Sequence, residues 1–463
     1  MSINNLKIST KQLSNKITEI LNEDYINKIA RENGFIIRKG KIDGFKFLDM
    51  LLFTHFNHKE LSLNDLAIQL EQRYKISITK QGLDERFTEA AVNFFKIILE
   101  KIINISVQQN IEIDFTEYKK VRIKDSTAFQ LPDSMYDKYP GSGGSGSKAS
   151  IRIQFEYDLK TGKIQDLSLY AFNYQDLKNA KMTIDNIEAK ELLIRDLGYI
   201  TIKNLEIIND KNAYYLNRLN TSTNAYVLND KGIFEIIDFH ELHKYMKANN
   251  LPIIEKEAYI GSKKFKTRII IELLPSKQYA ERMRKIKKIA SKKGRTIGKN
   301  YKAKAGLNIF ITNTKIEAKH IRLLYSIRWQ IELMFKIWKS IGEIDKIKKM
   351  KIERFESFLI AKLIWIAINW QIMWNIVLYY YNAESIEISP YKLFKTLKIR
   401  LIDFRTALNT SVEQVEDFIF HLAKISHKYH KSEKKKGSKT WSYEIFRLFS
   451  VNNNNHIFNV IES

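Results

Sequence analysis

The run "SIRIQFEYDL", residues 150–159, sets Ile151, Ile153, Phe155, Tyr157 and Leu159 in strict alternation with Arg152, Gln154, Glu156 and Asp158. A strand turns successive side chains to opposite faces, whereas a helix would scatter these apolar groups around its axis. The chain must therefore contain sheet. The same period sets in from about residue 115, where Val121, Ile123 and Asp125 of "VRIKD" fall on one face. The turn "KTGK" and the run "IQDLSLYAF" extend this into an antiparallel meander. A helical stretch follows from residue 175, and "ELLIRD" then puts Leu192, Ile194 and Asp196 in one phase. Strand-like runs recur over 221–312, among them "NAYVLND", "KTRIIIELLP" and "GLNIFITNT". Residues 1–105 and those from about 316 onward read as helical. The expected fold class is α/β with helical regions at both ends, and no internal repeat is visible.

Partners are constrained by charge. Lys and Arg outnumber Asp and Glu by 77 to 52, a formal net charge of +25, which points to a polyanion such as nucleic acid. The excess concentrates in "RMRKIKKIASKKGRTIGKNYKAK", with eleven cations and no acid between Arg282 and Lys304. Arg282, Arg284, Lys285, Lys287, Lys288, Lys292, Lys293 and Arg295 are the expected phosphate contacts; the competing reading is a solvated charged helix. A second basic run, "HKYHKSEKKKGSK", precedes the C-terminus. The chain has no cysteine, so thiolate catalysis, disulfides and zinc–thiolate sites are excluded. The N-terminal stretch lacks the apolar core of a secretory signal, and a cytoplasmic protein is expected. Residues 363–383 carry no charge over a length that could span a bilayer. Asn369, Gln371 and Asn375 interrupt them, however, and a buried core helix is the preferred reading.

Two local patterns suggest binding. "YPGSGGSGSKAS" contains G-x-G-x-x-G at Gly141, Gly143 and Gly146. A dinucleotide fingerprint must open a helix, yet this loop leads into a strand, and Gly146 lacks the following Lys of a phosphate-binding loop. No nucleotide cofactor is expected, and the glycines read as flexible joints. Earlier, Ser62 can cap a helix with Leu63, Leu66, Ile68 and Leu70 as its apolar stripe, and Thr79 can cap a short second one carrying Lys80, Gln81 and Arg86. That is the outline of a DNA-binding helix-turn-helix, or of an ordinary helical hairpin.

The chemistry rests on carboxylates. Asp125 and Asp196 each occupy a phase that period two reserves for an apolar residue, at the end of a strand. A carboxylate there is costly unless it is bonded or binds a cation. The third element is "LLYSIRWQIELMFKIWKS", from Leu323. At about 100° per residue, Tyr325, Arg328, Glu332 and Lys339 gather within about 60° of one another on a helix. Leu324, Ile327, Ile331, Met334, Phe335 and Trp338 form a separate apolar face. Either this polar face is a solvated edge, with Glu332 paired to Lys336 or Arg328, or Asp125, Asp196 and Glu332 form a hard-cation site of oxygen donors. In the second case Arg328 and Lys339 would hold phosphates and Tyr325 would bond or stack.

Taken together, "KDST", "RDLGY" and the Tyr-x2-Arg-x3-Glu-x6-Lys pattern resemble the DDE transposases of bacterial insertion sequences, in the insertion-sequence-four family. "YPGSGGS", "QFEYDLKTG" and "KKGRT" look like the same branch, and the resemblance covers about residues 60–380. It implies a ribonuclease-H-like core at 106–220 and 313–382, interrupted by a mainly β insertion at 221–312. Residues 1–105 would then be a helical DNA-binding region and 383–463 a C-terminal helical region. It also implies two Mg²⁺ ions, with Mn²⁺ able to substitute, on Asp125, Asp196 and Glu332, the catalytic carboxylates. The implied reaction is cut-and-paste transposition: nicking at terminal inverted repeats, a hairpin on the element end, its opening, and joining to double-stranded target DNA by a homodimer. A nuclease without strand transfer, or an inactive DNA-binding derivative, are the alternatives. One departure stands out. Relatives place a tryptophan in the insertion to hold a flipped base, but no Trp precedes Trp329 here. Tyr301, Trp329 or a different hairpin chemistry would have to serve.

Overall fold

The computed structural model describes residues 3–54, 61–105, 118–143, 146–220, 223–292, 294, 296–384 and 386–433. Six helices come first: α1 (Ile3–Leu21), α2 (Glu23–Glu32), α3 (Gly44–Leu52), α4 (Leu63–Tyr74), α5 (Lys80–Asp84) and α6 (Glu89–Ile103). Strands β1 (Lys120–Leu131), β2 (Ala149–Asp158) and β3 (Ile164–Ala171) follow, then α7 (Asp176–Thr183), β4 (Glu191–Arg195), α8 (Ile202–Asp210) and β5 (Tyr214–Arg218). Next come β6 (Ala225–Leu228), β7 (Phe234–Ile236), α9 (Phe239–Ala248), β8 (Ile253–Ile260) and β9 (Phe265–Leu273). They lead to α10 (Ser276–Lys292), α11 (Lys299–Ala305), β10 (Leu307–Thr312), α12 (Ala318–Ser326) and α13 (Trp329–Ser340). The last four helices are α14 (Ile352–Glu384), α15 (Pro390–Ile399), α16 (Leu401–Leu408) and α17 (Val412–Tyr429). The protein is thus mixed α/β, and it divides into two compact units.

The first unit comprises Met1–Asp114, Ser126–Asn173 and Ile331–Ser463. Its axis is α14, a helix apolar on every side and buried along most of its length, against which α1, α3, α6, α15 and α17 pack. By length and apolarity α14 could cross a bilayer, but 94% of its most apolar window is buried in the protein. Two of its polar groups are bonded: Asn369 donates to the Trp365 carbonyl at 2.6 Å, and Asn375 to the Thr10 hydroxyl at 3.2 Å, whereas the buried Gln371 Nε2 has no hydrogen-bond partner among the described residues. Strand β2 delivers the alternation's apolar members here. The Phe155 ring lies 4.8 Å from that of Trp338 and 5.3 Å from that of Trp370, and Tyr157 lies 4.9 Å from Trp370. Burying each such ring contributes about 2–3 kcal/mol. The hairpin turn must come close to α14, since Trp370 donates to the Gly162 carbonyl at 2.6 Å and a Cβ on Gly162 would strike Trp374. Gln154, Glu156 and Asp158 are buried as well, so the opposite face of β2 is also covered. Period two here separates two covered faces.

The helix pair near the N-terminus forms where its caps predict. The Ser62 hydroxyl accepts from the Asp65 amide and that of Thr79 from the Gly82 amide, opening α4 and α5. Leu66 and Leu70 are fully buried, but Ile68 is 52% exposed. Two residues from either leucine, Ile68 sits on the opposite side of the helix, so the stripe is narrower than the sequence suggested.

The second unit comprises Phe115–Asp125 and Tyr174–Gln330. Its strand order is β1-β4-β5-β10-β9-β8-β6-β7, with β1, β4 and β5 mutually parallel and the later pairs antiparallel. Leu193, Leu205, Tyr215, Ile269, Ile271 and Ile311 belong to its core. The 221–312 stretch departs from the mainly β expectation. Its strand-like runs do become β6, β9 and β10, but α9, α10 and α11 share it. Helix α9 follows a 3.6 period, with Phe239, His243 and Met246 buried and Asp238 capping.

Candidate active site

Parallel pairing of β1 with β4 sets the geometry. Val121 lies opposite Leu192, Ile123 opposite Ile194 and Lys124 opposite Arg195. Asp125 is the next residue of β1, which runs on to Leu131 rather than ending there as expected, and Asp196 directly follows the last residue of β4. The preceding in-phase side chains Val121, Ile123, Leu192 and Ile194 are fully buried, so each carboxylate continues a core face at the C-terminal end of the parallel pairing. Ligands of open α/β sheets gather at that end.

The segment bearing Tyr325 and Arg328 is not one helix. α12 stops at Ser326, the amides of Ile327 and Arg328 bond three residues back, and α13 starts at Trp329. The break redirects both side chains. Arg328 pairs with Asp125 (Nη1 to Oδ2, 2.5 Å), the two side chains being 10% and 18% exposed. The Tyr325 hydroxyl donates to Asp196 Oδ1 at 3.3 Å, and its ring packs 5.3 Å from that of Phe310. Burial, and then the Asp196 charge, push the Tyr325 phenol up to about 12, with Arg328 opposing. The group therefore stays protonated and donates. The expected apolar face is as read: Leu324, Ile327, Ile331, Met334, Phe335 and Trp338 are all buried.

Glu332 and Lys339 belong to the other unit and are described within it. Glu332 is exposed in the first turn of α13, while Lys339 donates to the Ala128 carbonyl of β1 at 2.9 Å. Among the described residues no group of three or more His, Asp or Glu side chains is close enough to hold a metal ion. The donors themselves suit a hard cation, since Asp125 and Asp196 offer carboxylate oxygens from neighbouring strands where their parallel pairing ends. Asp125 is balanced there by Arg328.

The basic segment folds as α10 and α11, and its cations divide. Arg284, Lys285, Lys287, Lys288 and Lys292 are exposed. Arg282 differs from expectation: it donates to the Ala305 and Leu307 carbonyls at 3.2 and 3.0 Å and to Asn308 at 2.9 Å. These acceptors close the end of α11 onto β10, so Arg282 is a structural bond of the fold. Lys293 and Arg295 lie outside the described residues. Arg282, Arg218, Tyr301 and Lys304 line a cavity of about 200 Å³ with Leu197, the neighbour of Asp196. Sequence reasoning missed Arg218, because one cation on a short strand carries no pattern.

The glycine loop leads into β2, and its base is pinned. Gly141 donates to the Lys148 carbonyl at 2.7 Å, Asp133 accepts from Ser147 and from the Lys148 amide, and Tyr139 donates to the buried Glu356 of α14. Gly143 takes a positive φ in open space; Gly144 and Ser145 lie outside the described residues.

A family model described as "Transposase DDE domain" matches residues 118–370. The transposase of insertion sequence element IS231E from Bacillus thuringiensis subsp. finitimus is 31% identical over 90% of this chain and 91% of its own. That of IS1151 from Clostridium perfringens is 30% identical over 95% and 97%. Among solved structures, a piggyBac transposase synaptic complex with hairpin DNA aligns over 88% of this chain and 84% of its own, at 11% identity and a TM-score of 0.44.

Proposed function

The chain belongs to the transposase DDE domain family, the transposases of insertion sequences, and from that premise we propose a cut-and-paste enzyme that cleaves element ends and joins them to target DNA. The observation that carries this is the register placing Asp125 and Asp196 side by side where the parallel pairing of β1 with β4 ends, each met by a donor from the 325–328 turn. The parallel strands β1, β4 and β5 of the second unit and the antiparallel β2–β3 hairpin of the first each support a ribonuclease-H-like core.

In this reading Asp125, Asp196 and Glu332 hold two divalent ions, Mg²⁺ or Mn²⁺. When bound, these would activate the attacking oxygen and stabilise the leaving oxygen of a phosphodiester displacement. Glu332 enters on the sequence signature alone. Arg328 neutralises Asp125 in the free protein and, once released, its planar fork suits a phosphate oxygen. Tyr325 holds Asp196 in one orientation through a phenol that keeps its proton. Lys339 fixes α13 to β1. The exposed cations of α10 would contact the DNA backbone, and the α4–α5 pair would read the terminal repeat. The Tyr301 cavity supports Tyr301 as the ring that holds an unpaired base of a hairpin intermediate. A homodimer would hold two ends, in the bacterial cytoplasm at the nucleoid.

The test is cleavage and strand transfer on duplexes carrying the element's ends, with Mg²⁺. Cutting and joining that both vanish in Asp125→Ala, Asp196→Ala and Glu332→Ala are expected. Cutting without joining in the wild type would favour a nuclease, and binding without cutting an inactive derivative.

A further inference from the structure

A second concentration of cations lies in the first unit. Lys80, Lys348 and Arg354 converge with Ser62 and Asn64 on a cavity of about 300 Å³, floored by Phe358. They come from three separate elements: the first residue of α5, the segment joining α13 to α14, and the first turn of α14. Two are held in place. Lys348 donates to the Leu61 carbonyl at 2.6 Å, and Arg354 pairs with Asp84 at 2.9 Å. The third, Lys80, is exposed and has no ion pair among the described residues. The nearby acids are engaged: Asp84 with Arg354, and Asp65 with the Ser62 amide and hydroxyl in the α4 cap.

We infer that this cavity takes one phosphate of a DNA backbone, gripped by Lys80 and Lys348 together. The inference rests on the DNA-acting reading above and extends it, because the helix pair no longer binds alone. A phosphate is favoured for a physical reason. Lys348, already fixed by its hydrogen bond, loses little side-chain freedom when an anion arrives, while the ammonium of Lys80, which has no ion pair among the described residues, supplies the net attraction. The start of a second helix then lies at the backbone, with Gln81 exposed beside it, as a groove-entering helix requires. Residues 341–354, which connect the signature helix to the core helix, thereby become part of the DNA surface.

The experiment is a salt titration of the full chain on a short random-sequence duplex, followed by fluorescence anisotropy. Each phosphate neutralised contributes about 0.9 to the slope of log affinity against log salt. Lys80→Ala and Lys348→Gln should each lower that slope by about 0.9, with an affinity loss of roughly tenfold at low salt. The double variant should lose no more slope than either single variant, because one phosphate is shared. Lys28→Ala, at an exposed lysine paired with Glu32 elsewhere in the unit, should leave the slope unchanged. A Lys80→Ala slope equal to wild type overturns the inference, and a double variant that loses twice as much means two separate phosphates and overturns the shared site. Wild-type chain that binds no duplex with any salt dependence would instead sink the DNA-acting reading, so the two failures are distinguishable.

Discussion

The 325–328 turn and helix α10 are both charged, and the protein treats them in opposite ways. Tyr325 and Arg328 are each 8% exposed and each is bonded to a carboxylate. Arg284, Lys285, Lys287, Lys288 and Lys292 are exposed, and none has an ion pair among the described residues. A buried charge must be matched group by group, and removing one partner strands the other. An exposed cation works through a field that salt screens, and its neighbours share the task. Single substitutions should therefore be severe and specific in the turn and its partners, and graded along α10.

The largest effect is expected at the carboxylates themselves. Asp196→Ala or Asp125→Ala should cut end cleavage by at least about a thousandfold, the equivalent of the several kcal/mol of charge stabilisation that a bound cation supplies. Arg284→Ala should leave cleavage at saturating DNA unchanged. Loss of cleavage in both would break the contrast. Next comes Arg328→Ala, which leaves Asp125 without its cation and should cost about 3 kcal/mol in urea unfolding. Adding Asp125→Asn to that variant removes the stranded charge, so much of the stability should return. If none returns, the pair is not what Arg328 contributes.

A finer test sits within the basic segment, where two arginines two residues apart fall on different sides of the contrast. Arg282→Ala breaks bonds to two carbonyls and to Asn308 and should destabilise the fold by about 1–3 kcal/mol. Arg284→Ala should change stability by less than about 0.5 kcal/mol, while lowering the salt slope of DNA binding by about 0.9. Equal melting curves for the two would remove the distinction.

These differences mark what was legible in the sequence. Period two located β1, β2, β3 and β4, and it flagged Asp125 and Asp196 because a carboxylate breaks an apolar phase. Cap residues located α4 and α5, and the uncharged run located the core of α14. Three things were hidden, each for a tertiary reason. The break between α12 and α13 carries no Pro or Gly; only the bonding of Arg328 and Tyr325 to Asp125 and Asp196 accounts for it. Arg282 looks like its neighbours until β10 brings carbonyls to it. The grip formed by Lys80 and Lys348 joins residues far apart in sequence, and no local pattern reports that.

The smallest expected effect concerns Tyr325 and isolates the hydrogen bond from the charge. At neutral pH Tyr325→Phe removes one bond to Asp196, a loss of about 1 kcal/mol. The alkaline limb is more telling. The phenol, ordinarily near 10, is pushed up to about 12 in the folded protein by burial and by Asp196. The folded state thus holds this proton more tightly than the unfolded state, so the associated stability is complete below pH 10 and is lost as pH rises through about 12. Phenylalanine has no such proton, so the stability gap between wild type and Tyr325→Phe should narrow over that window. Half-buried Tyr74 and buried Tyr139, Tyr157 and Tyr215 are raised too, so a shallower alkaline decline should persist in the variant. Asp196→Ala should weaken the Tyr325 contribution without abolishing it, because burial is the larger cause. A gap that stays constant from pH 9 to 12 would mean that Tyr325 is open to solvent, and that the turn holds Asp125 alone.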